Sequence, residues 1–188
     1  HLARCLGLVP FVRWLSRRAQ LIYTAESLRI ADAPGIVAPM GIEVADYVGD
    51  ESERARCRRA LGIAGPTLLF LGRLVPVKGV EALLAALPSV PGATLIIAGD
   101  GPEQPRLAAR AQPLGARVRF VGPVAGAQKR ALLLACDALV LPSRVLADGR
   151  TEGAPVVLME ALAAQLPIVV TDVGAARALV GDAGLVIP

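Results

Sequence analysis

Two glutamates, Glu152 and Glu160, are the residues of this sequence whose type and spacing best suit chemistry. An apolar helix is predicted from Pro155 to Gln165, with the first glutamate just before it and the second inside it. Glu160 is the only ionisable side chain between residues 153 and 171. A carboxylate on so apolar a surface costs several kcal/mol unless a donor hydrogen-bonds to it. The helix offers no such donor, so the sequence predicts that a bound ligand supplies one.

Glu152 is predicted to lie at the beginning of that helix. Pro155 suits the first helical turn, and free backbone N–H groups at Gly153, Ala154 and Val156 are expected to point outward. A structural explanation is also open, because a carboxylate near a helix N-terminus gains roughly 0.3–1 kcal/mol from the helix dipole. At about 1.5 Å of rise per residue, the two carboxylates are too far apart to share one proton. We therefore expect them to hold different parts of one ligand.

A pair of cations lies in a second loop, between Gly72 and Gly79. Arg73 and Lys78 are placed around a predicted helix start, an arrangement that suits the clamping of a diphosphate. The alternative is a surface loop that carries two ordinary charges.

Two further loops follow predicted strands, where an open parallel sheet binds its ligands. Gly99–Pro102 provides a tight turn at which backbone can approach a ligand, or a plain turn. Val121–Val124, which leads to Lys129, could border a base or a sugar, or could simply end a strand. No G-x-G-x-x-G follows a predicted strand and no G-x-x-x-x-G-K-[ST] occurs, which argues against nicotinamide-dinucleotide and P-loop sites.

The elements that must position these residues alternate along the chain from Thr67 onward. Short β-branched runs alternate with helical stretches, a rhythm typical of a parallel sheet with crossover helices. Uninterrupted runs such as Leu95-Ile96-Ile97 indicate strands that are covered on both faces. We therefore predict an α/β fold, a Rossmann-like parallel sheet with helices on both faces. The predicted strands are 67–72, 93–98, 117–121, 138–142, 167–171 and 184–187, and the predicted helices are 79–87, 103–111, 126–135, 155–165 and 175–180.

The first 45 residues do not follow this rhythm. They contain a broken, arginine-bearing helix over 11–20 and short strands near Leu21–Thr24 and Ile36–Pro39. The chain begins with neither an initiator Met nor a complete signal peptide, so we expect a fragment. The predicted parts are the end of a preceding domain (1–45), a linker with a connecting helix (46–65) and the main domain (66–188).

Composition excludes several classes of protein. A hydrophobic content of 54% argues against a disordered chain, and no stretch reaches the roughly 18 apolar residues that a membrane span needs. Cys5, Cys57 and Cys136 have no metal-ligand spacing, so structural zinc lacks its ligands. The only histidine is His1, which leaves no histidine-dependent catalytic triad. We interpret the cysteines as reduced, which favours the cytosol.

The charge of the chain is mildly basic. A net charge of +4 suits an anionic small ligand or an acidic membrane surface, whereas an aromatic content of 3% is too low for base-stacking platforms and argues against a nucleic-acid partner. A basic interfacial helix is an alternative for the first residues, but Pro10 is expected to interrupt it and a truncated domain helix is favoured. Its arginines are Arg4, Arg13, Arg17 and Arg18.

Several motifs together resemble the donor-binding domain of the family 4 retaining glycosyltransferases, which have the GT-B architecture of two facing Rossmann-like domains. The resemblance runs in order from about Ile36 to the end of the chain, and residues 37–43 resemble the segment that closes the family's first domain. The motifs are G-R-L-V-P-V-K-G, A-G-D-G-P, V-R-F-V-G, L-P-S and E-G-A-P-V-V-L-M-E-A-L-A-A-Q-L-P-I-V-V-T-D-V-G.

The resemblance implies a role for each candidate residue. Arg73 and Lys78 would bind the donor diphosphate, Glu152 would contact hydroxyls of the transferred sugar, and Glu160 would hold the nucleotide ribose. Glu152, Arg73 and Lys78 are the implied catalytic residues, and Lys129 is assigned to the donor site. The implied backbone contacts are the amides of Gly153, Ala154 and Val156 with the sugar and phosphates, and the backbone near Val124 with the base.

The implied activity is the transfer of a sugar, with retention of its anomeric configuration, from a nucleoside-diphosphate sugar to a glycan, lipid or small-molecule acceptor. Fixed cations and a helix N-terminus would stabilise the departing diphosphate without a metal or other cofactor. Residues 1–45 would be a remnant of the acceptor domain and the donor domain would be truncated at its C-terminus, so the fragment is expected to be inactive alone. The implied location is the cytoplasm, with peripheral contact on the inner face of the membrane as an option.

Three departures from the family pattern occur. Gln165 stands where the family usually has Gly, Glu43 replaces an Asp, and residues 175–178 lack the glutamate usual in that loop. A GT-B epimerase or phosphorylase is one alternative function, and a non-catalytic nucleotide-sugar binding module is another.

Overall fold

Two β-sheets form the framework of the protein in this computed structural model, which describes residues 9–26, 29–38 and 40–188. The smaller sheet is a parallel pair, β1 (Leu21–Tyr23) and β2 (Gly35–Val37). The larger sheet confirms the six predicted strands, with bounds that agree to about one residue. Its strands are β3 (Thr67–Leu71), β4 (Thr94–Ala98), β5 (Val118–Gly122), β6 (Ala138–Leu141), β7 (Ile168–Thr171) and β8 (Leu185–Ile187).

The strand order of the larger sheet is β5-β4-β3-β6-β7-β8, and all neighbours are parallel. The chain therefore adds strands in one direction from β3 to β5, returns to the middle, and continues in the other direction from β6 to β8. Because parallel crossovers are right-handed, the helices before and after this reversal lie on opposite faces. The predicted α/β sheet with helices on both faces is confirmed. The reversal lies between β3 and β6, the position where open α/β sheets bind ligands.

Seven helices lie in the described residues, and each predicted helix is found, with the predicted ends for 126–135 and with somewhat different ends for the others. The first described helix includes Pro10 in its first turn, where proline is tolerated. Whether Pro10 interrupts a longer helix that includes Arg4 stays a prediction, because residues 1–8 lie outside the described residues. The last long helix is shorter than predicted at both ends. The helices are α1 (Val9–Ser16), α2 (Glu51–Ala60), α3 (Val80–Ala86), α4 (Gln104–Ala111), α5 (Gly126–Ala135), α6 (Val156–Ala163) and α7 (Ala176–Val180).

The core lies on both sides of the central strands. Leu69 and Phe70 of β3 and Ile96 and Ile97 of β4 are all 0% exposed, which confirms the interpretation of uninterrupted apolar runs as doubly covered strands. Helix α3 packs against α4, whereas α2 packs against α5 and α6 against α7. Fully burying each large apolar side chain contributes about 1.5–3 kcal/mol, so this layer holds the loops at the strand ends in place.

Helix α2 is tied to the amino ends of the strands by a charged cluster. Arg54 and Arg58 donate to the carboxylate of Asp137, at 2.6 and 3.1 Å, just before β6. The same carboxylate accepts from the backbone N–H of Thr67 at the start of β3, at 2.7 Å. The helix that follows the linker is therefore anchored at the edge of the sheet opposite to the predicted site.

The small sheet has a core of its own, formed by Tyr23, Ile30 and Ala33. Its strands match the predicted segments near residues 21–24 and 36–39. The domain boundaries at residues 45 and 65 stay predictions. Arg4 and Cys5 lie outside the described residues. Within the described residues, no helix is both long and apolar enough to cross a membrane.

Candidate active site

The loops that carry the predicted site residues meet at the carboxyl edge of the larger sheet. The loop after β3 and the loop after β4 are joined by a hydrogen bond from the N–H of Leu74 to the carbonyl of Asp100, at 2.6 Å. Gly99 has a φ of +133°, and a Cβ on it would lie 1.9 Å from the carbonyl oxygen of Gly72. The glycine of this predicted tight turn is therefore required by the contact between the two loops.

The loop after β3 is also bound to the loop after β6, across the reversal of the sheet. A turn of 3₁₀ helix, Pro76–Lys78, precedes Gly79, and a Cβ on this glycine would lie 2.0 Å from the carbonyl oxygen of Pro142. Arg144 donates from its Nε to the carbonyl of Pro76, at 2.9 Å. These contacts direct the side chain of Lys78 toward the segment that begins α6.

Lys78 and Glu152 form an ion pair at this point, with side chains only 15% and 12% exposed. Ser143 donates to Oε2 of the same carboxylate, at 3.1 Å, and the backbone N–H of Gly153 donates to Oε1, at 3.2 Å. Both oxygens of Glu152 therefore have protein donors. We call Lys78, Ser143, Glu152 and Gly153 the Glu152 cluster.

The backbone amides next to Glu152 differ from the prediction in one respect. Free N–H groups were expected at Gly153, Ala154 and Val156, but the N–H of Gly153 is used by the adjacent carboxylate. In the described part of the chain, the N–H groups of Ala154 and Val156 have no hydrogen-bond acceptor. These two amides are thus the ones that the first turn of α6 offers to a ligand.

Arg73 lies apart from this cluster. Its side chain is exposed and makes no hydrogen bond or ion pair with any residue that the structure describes. It borders a cleft of about 210 Å³ at the ends of β3, β4 and β5. Arg73, predicted to bind a diphosphate, and the backbone near Val124, predicted to contact a base, therefore line the same cleft. The lining residues are Leu71, Gly72, Arg73, Ala98, Gly99, Asp100, Pro123 and Val124.

Glu160 is buried, with 5% of its surface exposed. Its Oε1 accepts a hydrogen bond from the hydroxyl of Tyr47 at 2.8 Å and from Nζ of Lys129 at 2.6 Å. A bound ligand was predicted to supply the donor for this carboxylate, whereas the structure shows that the linker and α5 each supply one. We call Tyr47, Lys129 and Glu160 the Glu160 cluster.

The electrostatics of the Glu160 cluster favour charged Lys129 and neutral Tyr47. Burial lowers the pKa of Lys129, but the hydrogen bond and the negative charge of Glu160 outweigh it, and the pKa lies above its ordinary value. Burial, and then the hydrogen bond to Glu160, raise the pKa of Tyr47. Nζ of Lys129 also lies 5.7 Å from the centre of the Tyr47 ring, within the range of a cation–π contact.

The three departures from the family pattern each have a structural setting. Gln165 adopts a left-handed conformation, with a φ of 55°, at the end of α6. Glu43 caps the 3₁₀ turn Val44–Asp46 by accepting from the N–H of Ala45, at 3.5 Å. Ala175 and Ala176 are 3% and 4% exposed, so small side chains fill the loop that lacks the glutamate.

Two residues of these clusters were missed by sequence reasoning. Tyr47 is 113 positions from its partner Glu160, and nothing in the sequence near it signals that contact. Ser143 lies in the L-P-S motif but had no assigned role. The described residues contain no group of three or more His, Cys, Asp or Glu side chains that could hold a metal ion.

Comparison with known proteins identifies the family. Residues 65–188 match the model of the family described as "Glycosyl transferases group 1". The chain is 32% identical over 181 residues to the putative teichuronic acid biosynthesis glycosyltransferase TuaC of Bacillus subtilis, covering 95% of this chain and 42% of that protein. It is 35% identical over 146 residues to a GDP-mannose-dependent alpha-(1-6)-phosphatidylinositol monomannoside mannosyltransferase of Mycobacterium tuberculosis, covering 73% of this chain and 38% of that protein.

Solved structures agree with this result. The crystal structure of Anabaena Alr3699/HepE in complex with UDP and glucose superimposes with a TM-score of 0.79 at 27% identity, covering 96% of this chain and 53% of that one. The chain thus spans about half or less of the length of these relatives. The family model covers residues 65–188, about two thirds of the chain. The chain therefore belongs to the group 1 glycosyltransferases.

Proposed function

We propose that this chain is the donor-binding part of a family 4 retaining glycosyltransferase, which transfers a sugar from a nucleoside-diphosphate sugar to an acceptor. The observation that carries the proposal is the arrangement at the carboxyl edge of the sheet. Arg73 in the loop after β3, Glu152 in the segment before α6 and Glu160 inside α6 lie on either side of the strand-order reversal, where this class of sheet binds ligands.

The chemistry in this proposal is stabilisation of a leaving group. A departing nucleoside diphosphate gains negative charge as the bond to the sugar breaks, and fixed positive groups lower the energy of that state. Arg73 and Lys78 supply the cations, and the N–H groups of Ala154 and Val156 add the positive end of α6. No metal or cofactor takes part in this proposal.

Glu152 would contact the transferred sugar in this arrangement. Its carboxylate is held by Ser143 and Gly153 and paired with Lys78, so it is fixed in position before the donor arrives. A fixed acceptor of hydrogen bonds suits sugar hydroxyls, because little ordering is then needed when they bind. Lys78 would serve both Glu152 and the diphosphate, which places the sugar and the leaving oxygen next to each other.

The acceptor is proposed to be a glycan or a lipid. The names of two relatives refer to teichuronic acid biosynthesis and to a phosphatidylinositol monomannoside, and these are the acceptor classes that we carry over. We also propose that the whole protein acts in the cytoplasm or at the inner face of the membrane. Because transfer in a GT-B enzyme takes place between two domains, we expect the 188-residue chain to bind donor without transferring sugar.

Calorimetric titration with UDP, GDP and ADP tests the donor site. One of the three nucleotides is expected to bind, and Arg73→Ala is expected to weaken that binding about 10- to 100-fold, since a charged hydrogen bond to phosphate is worth roughly 1.5–3 kcal/mol. Arg59→Ala is the matched control, because Arg59 is an exposed arginine on α2, the helix anchored at the opposite edge of the sheet. A folded chain that binds none of the three nucleotides would refute the proposal.

A non-catalytic binding module is the second candidate. It is favoured by the buried Ala175 and Ala176, which occupy the loop where the resemblance leads us to expect a glutamate. The two candidates share the donor site and differ in turnover. Release of the nucleoside diphosphate from the donor that binds, catalysed by the whole protein as the sugar passes to an acceptor or to water, would decide for the enzyme.

A further inference from the structure

Glu160 is held by one of its two carboxylate oxygens. Both donors, the Tyr47 hydroxyl at 2.8 Å and Lys129 Nζ at 2.6 Å, reach Oε1. Oε2 accepts no hydrogen bond from the described residues, and this atom is not fully buried. Oε2 therefore remains open to a donor from outside the protein.

Tyr47 is itself held in place by the linker. It ends the 3₁₀ turn Val44–Asp46, with its N–H donating to the carbonyl of Val44 at 3.0 Å. This turn packs against α6, the helix that carries Glu160. The raised pKa of Tyr47 keeps its hydroxyl protonated at neutral pH, so the hydroxyl remains a hydrogen-bond donor.

Two donors on one oxygen also orient the carboxylate. A carboxylate anchored at Oε1 by groups from two different elements cannot rotate without breaking both hydrogen bonds, so the direction of its free lone pairs on Oε2 is set. A ribose presents two neighbouring hydroxyls, and a carboxylate oxygen of fixed direction is a suitable acceptor for them.

We propose that Tyr47 is a positioning residue for the donor site, holding Oε1 of Glu160 so that Oε2 accepts from the hydroxyls of the nucleotide ribose. This inference rests on the proposed function and adds to it a residue of the linker and a division of labour between the two carboxylate oxygens. Lys129 shares the task, because its Nζ donates to the same Oε1 at 2.6 Å. The linker thereby takes part in nucleotide recognition without touching the nucleotide.

The test compares nucleotides that do and do not have the hydroxyls. The 188-residue chain is titrated calorimetrically with UDP, GDP and ADP, and the one that binds most tightly is then compared with its 2′,3′-dideoxy form. Tyr47→Phe is expected to weaken the ribonucleotide about 10-fold and to leave the dideoxy nucleotide within about 2-fold, because only the ribonucleotide uses Glu160. The double variant Glu160→Gln with Tyr47→Phe is expected to bind the ribonucleotide with an affinity within about 2-fold of that of Glu160→Gln alone.

The chain provides a matched control in its other tyrosine. Tyr23 donates its hydroxyl to the carbonyl of Ala33, at 2.7 Å, in the small sheet, so Tyr23→Phe removes a comparable hydrogen bond and is expected to change neither affinity. Equal weakening of both nucleotides by Tyr47→Phe would mean a merely structural role and overturn the inference alone, as would no weakening of either. Failure of the folded wild-type chain to bind any of the three nucleotides would overturn the proposed function, and this inference with it.

Discussion

The Glu152 cluster and the Glu160 cluster use the same residue types in opposite ways. The sequence contains only two lysines, and each pairs with one of the two glutamates. Around Glu152 the donors come from neighbouring loops and occupy both oxygens. Around Glu160 they come from the linker and α5 and meet at one oxygen. A carboxylate can thus be held by donors on both oxygens, or held by one oxygen while the other stays free for a ligand.

The two clusters are alike in what they contribute to stability. A buried ion pair gains little overall, because desolvation of both charges offsets their attraction, but removing one partner leaves a buried charge uncompensated. Both pairs are largely enclosed, with side chains 15% and 12% exposed for Lys78 and Glu152, and 22% and 7% exposed for Lys129 and Glu160. The loss of either lysine should therefore be costly.

The largest expected effects are those of the two lysine substitutions, and Lys78→Met is the first. This substitution keeps most of the side-chain volume but leaves Glu152 without its cation, and we expect it to lower the free energy of unfolding by about 2–4 kcal/mol. Urea denaturation measures the change. Arg150→Met is the control, since the Arg150–Asp148 pair is about half exposed and should change stability by less than about 1 kcal/mol.

A double substitution makes this prediction specific. Glu152→Gln added to Lys78→Met removes the uncompensated charge, so part of the lost stability should return. If the double variant is as unstable as the sum of the single variants, the ion pair is not the cause of the loss and the comparison of the two pairs fails.

A comparable effect is expected from Lys129→Met, about 2–4 kcal/mol at neutral pH, because Glu160 is the more buried of the two carboxylates and keeps one protein donor, Tyr47. The pH dependence identifies the cause. The pKa values of Lys129 and Tyr47 are raised in the folded protein, so the folded state binds more protons than the unfolded state above about pH 10. Stability is therefore fully present below that pH and falls as the pH rises through the folded pKa values.

Lys129→Met should make this alkaline loss of stability shallower. The measurement is the free energy of unfolding in urea between pH 8 and pH 11, compared between variant and wild type. Cys136, whose pKa burial raises to about 12, adds an alkaline loss of its own, but it does so in both proteins and cancels in the difference. Parallel curves for the two proteins would contradict the coupling of Lys129, Tyr47 and Glu160.

The smallest expected effect is a stabilisation by Gln165→Gly. Leu166 N–H bonds to Ala161 and Gln165 N–H to Leu162, at 2.9 and 3.0 Å, which is the Schellman arrangement that places a left-handed residue after a helix. A left-handed conformation costs a non-glycine residue about 1–2 kcal/mol, which Gly avoids. Part of this gain is offset, because Gly loses more conformational entropy on folding. We expect a net gain of about 0.5–1 kcal/mol in the free energy of unfolding.

This substitution also separates stability from binding. Gln165 is exposed at the far end of α6 and belongs to neither cluster, so nucleotide affinity should be unchanged. Differential scanning calorimetry should show a higher Tm, and isothermal titration the same Kd as wild type. An altered Kd would indicate that the stability of α6 itself limits binding, and the contrast between the clusters would then need another explanation.

The fold was predictable because its signals are local and repeated. Six apolar runs, separated by turn residues and helical stretches, predict strand, loop and crossover one unit at a time, and the right-handed crossover rule then restricts the topology. The position of Pro10 shows what a local signal leaves open. A proline excludes the interior of a helix but not its first turn, and only the observed start of α1 distinguishes the two cases.

The candidate site was predictable in its residues and not in its pairings. By itself the sequence determined the α/β sheet, the charged loops after β3 and before α6, and a buried carboxylate that requires a donor, since all of these depend on neighbouring residues. Only the tertiary structure decided that Lys78 meets Glu152 and that Tyr47 and Lys129 meet Glu160. The physical reason is that side chains of the linker, α5 and α6 become neighbours only after the strand order brings their elements together, and no local pattern in the chain records that approach.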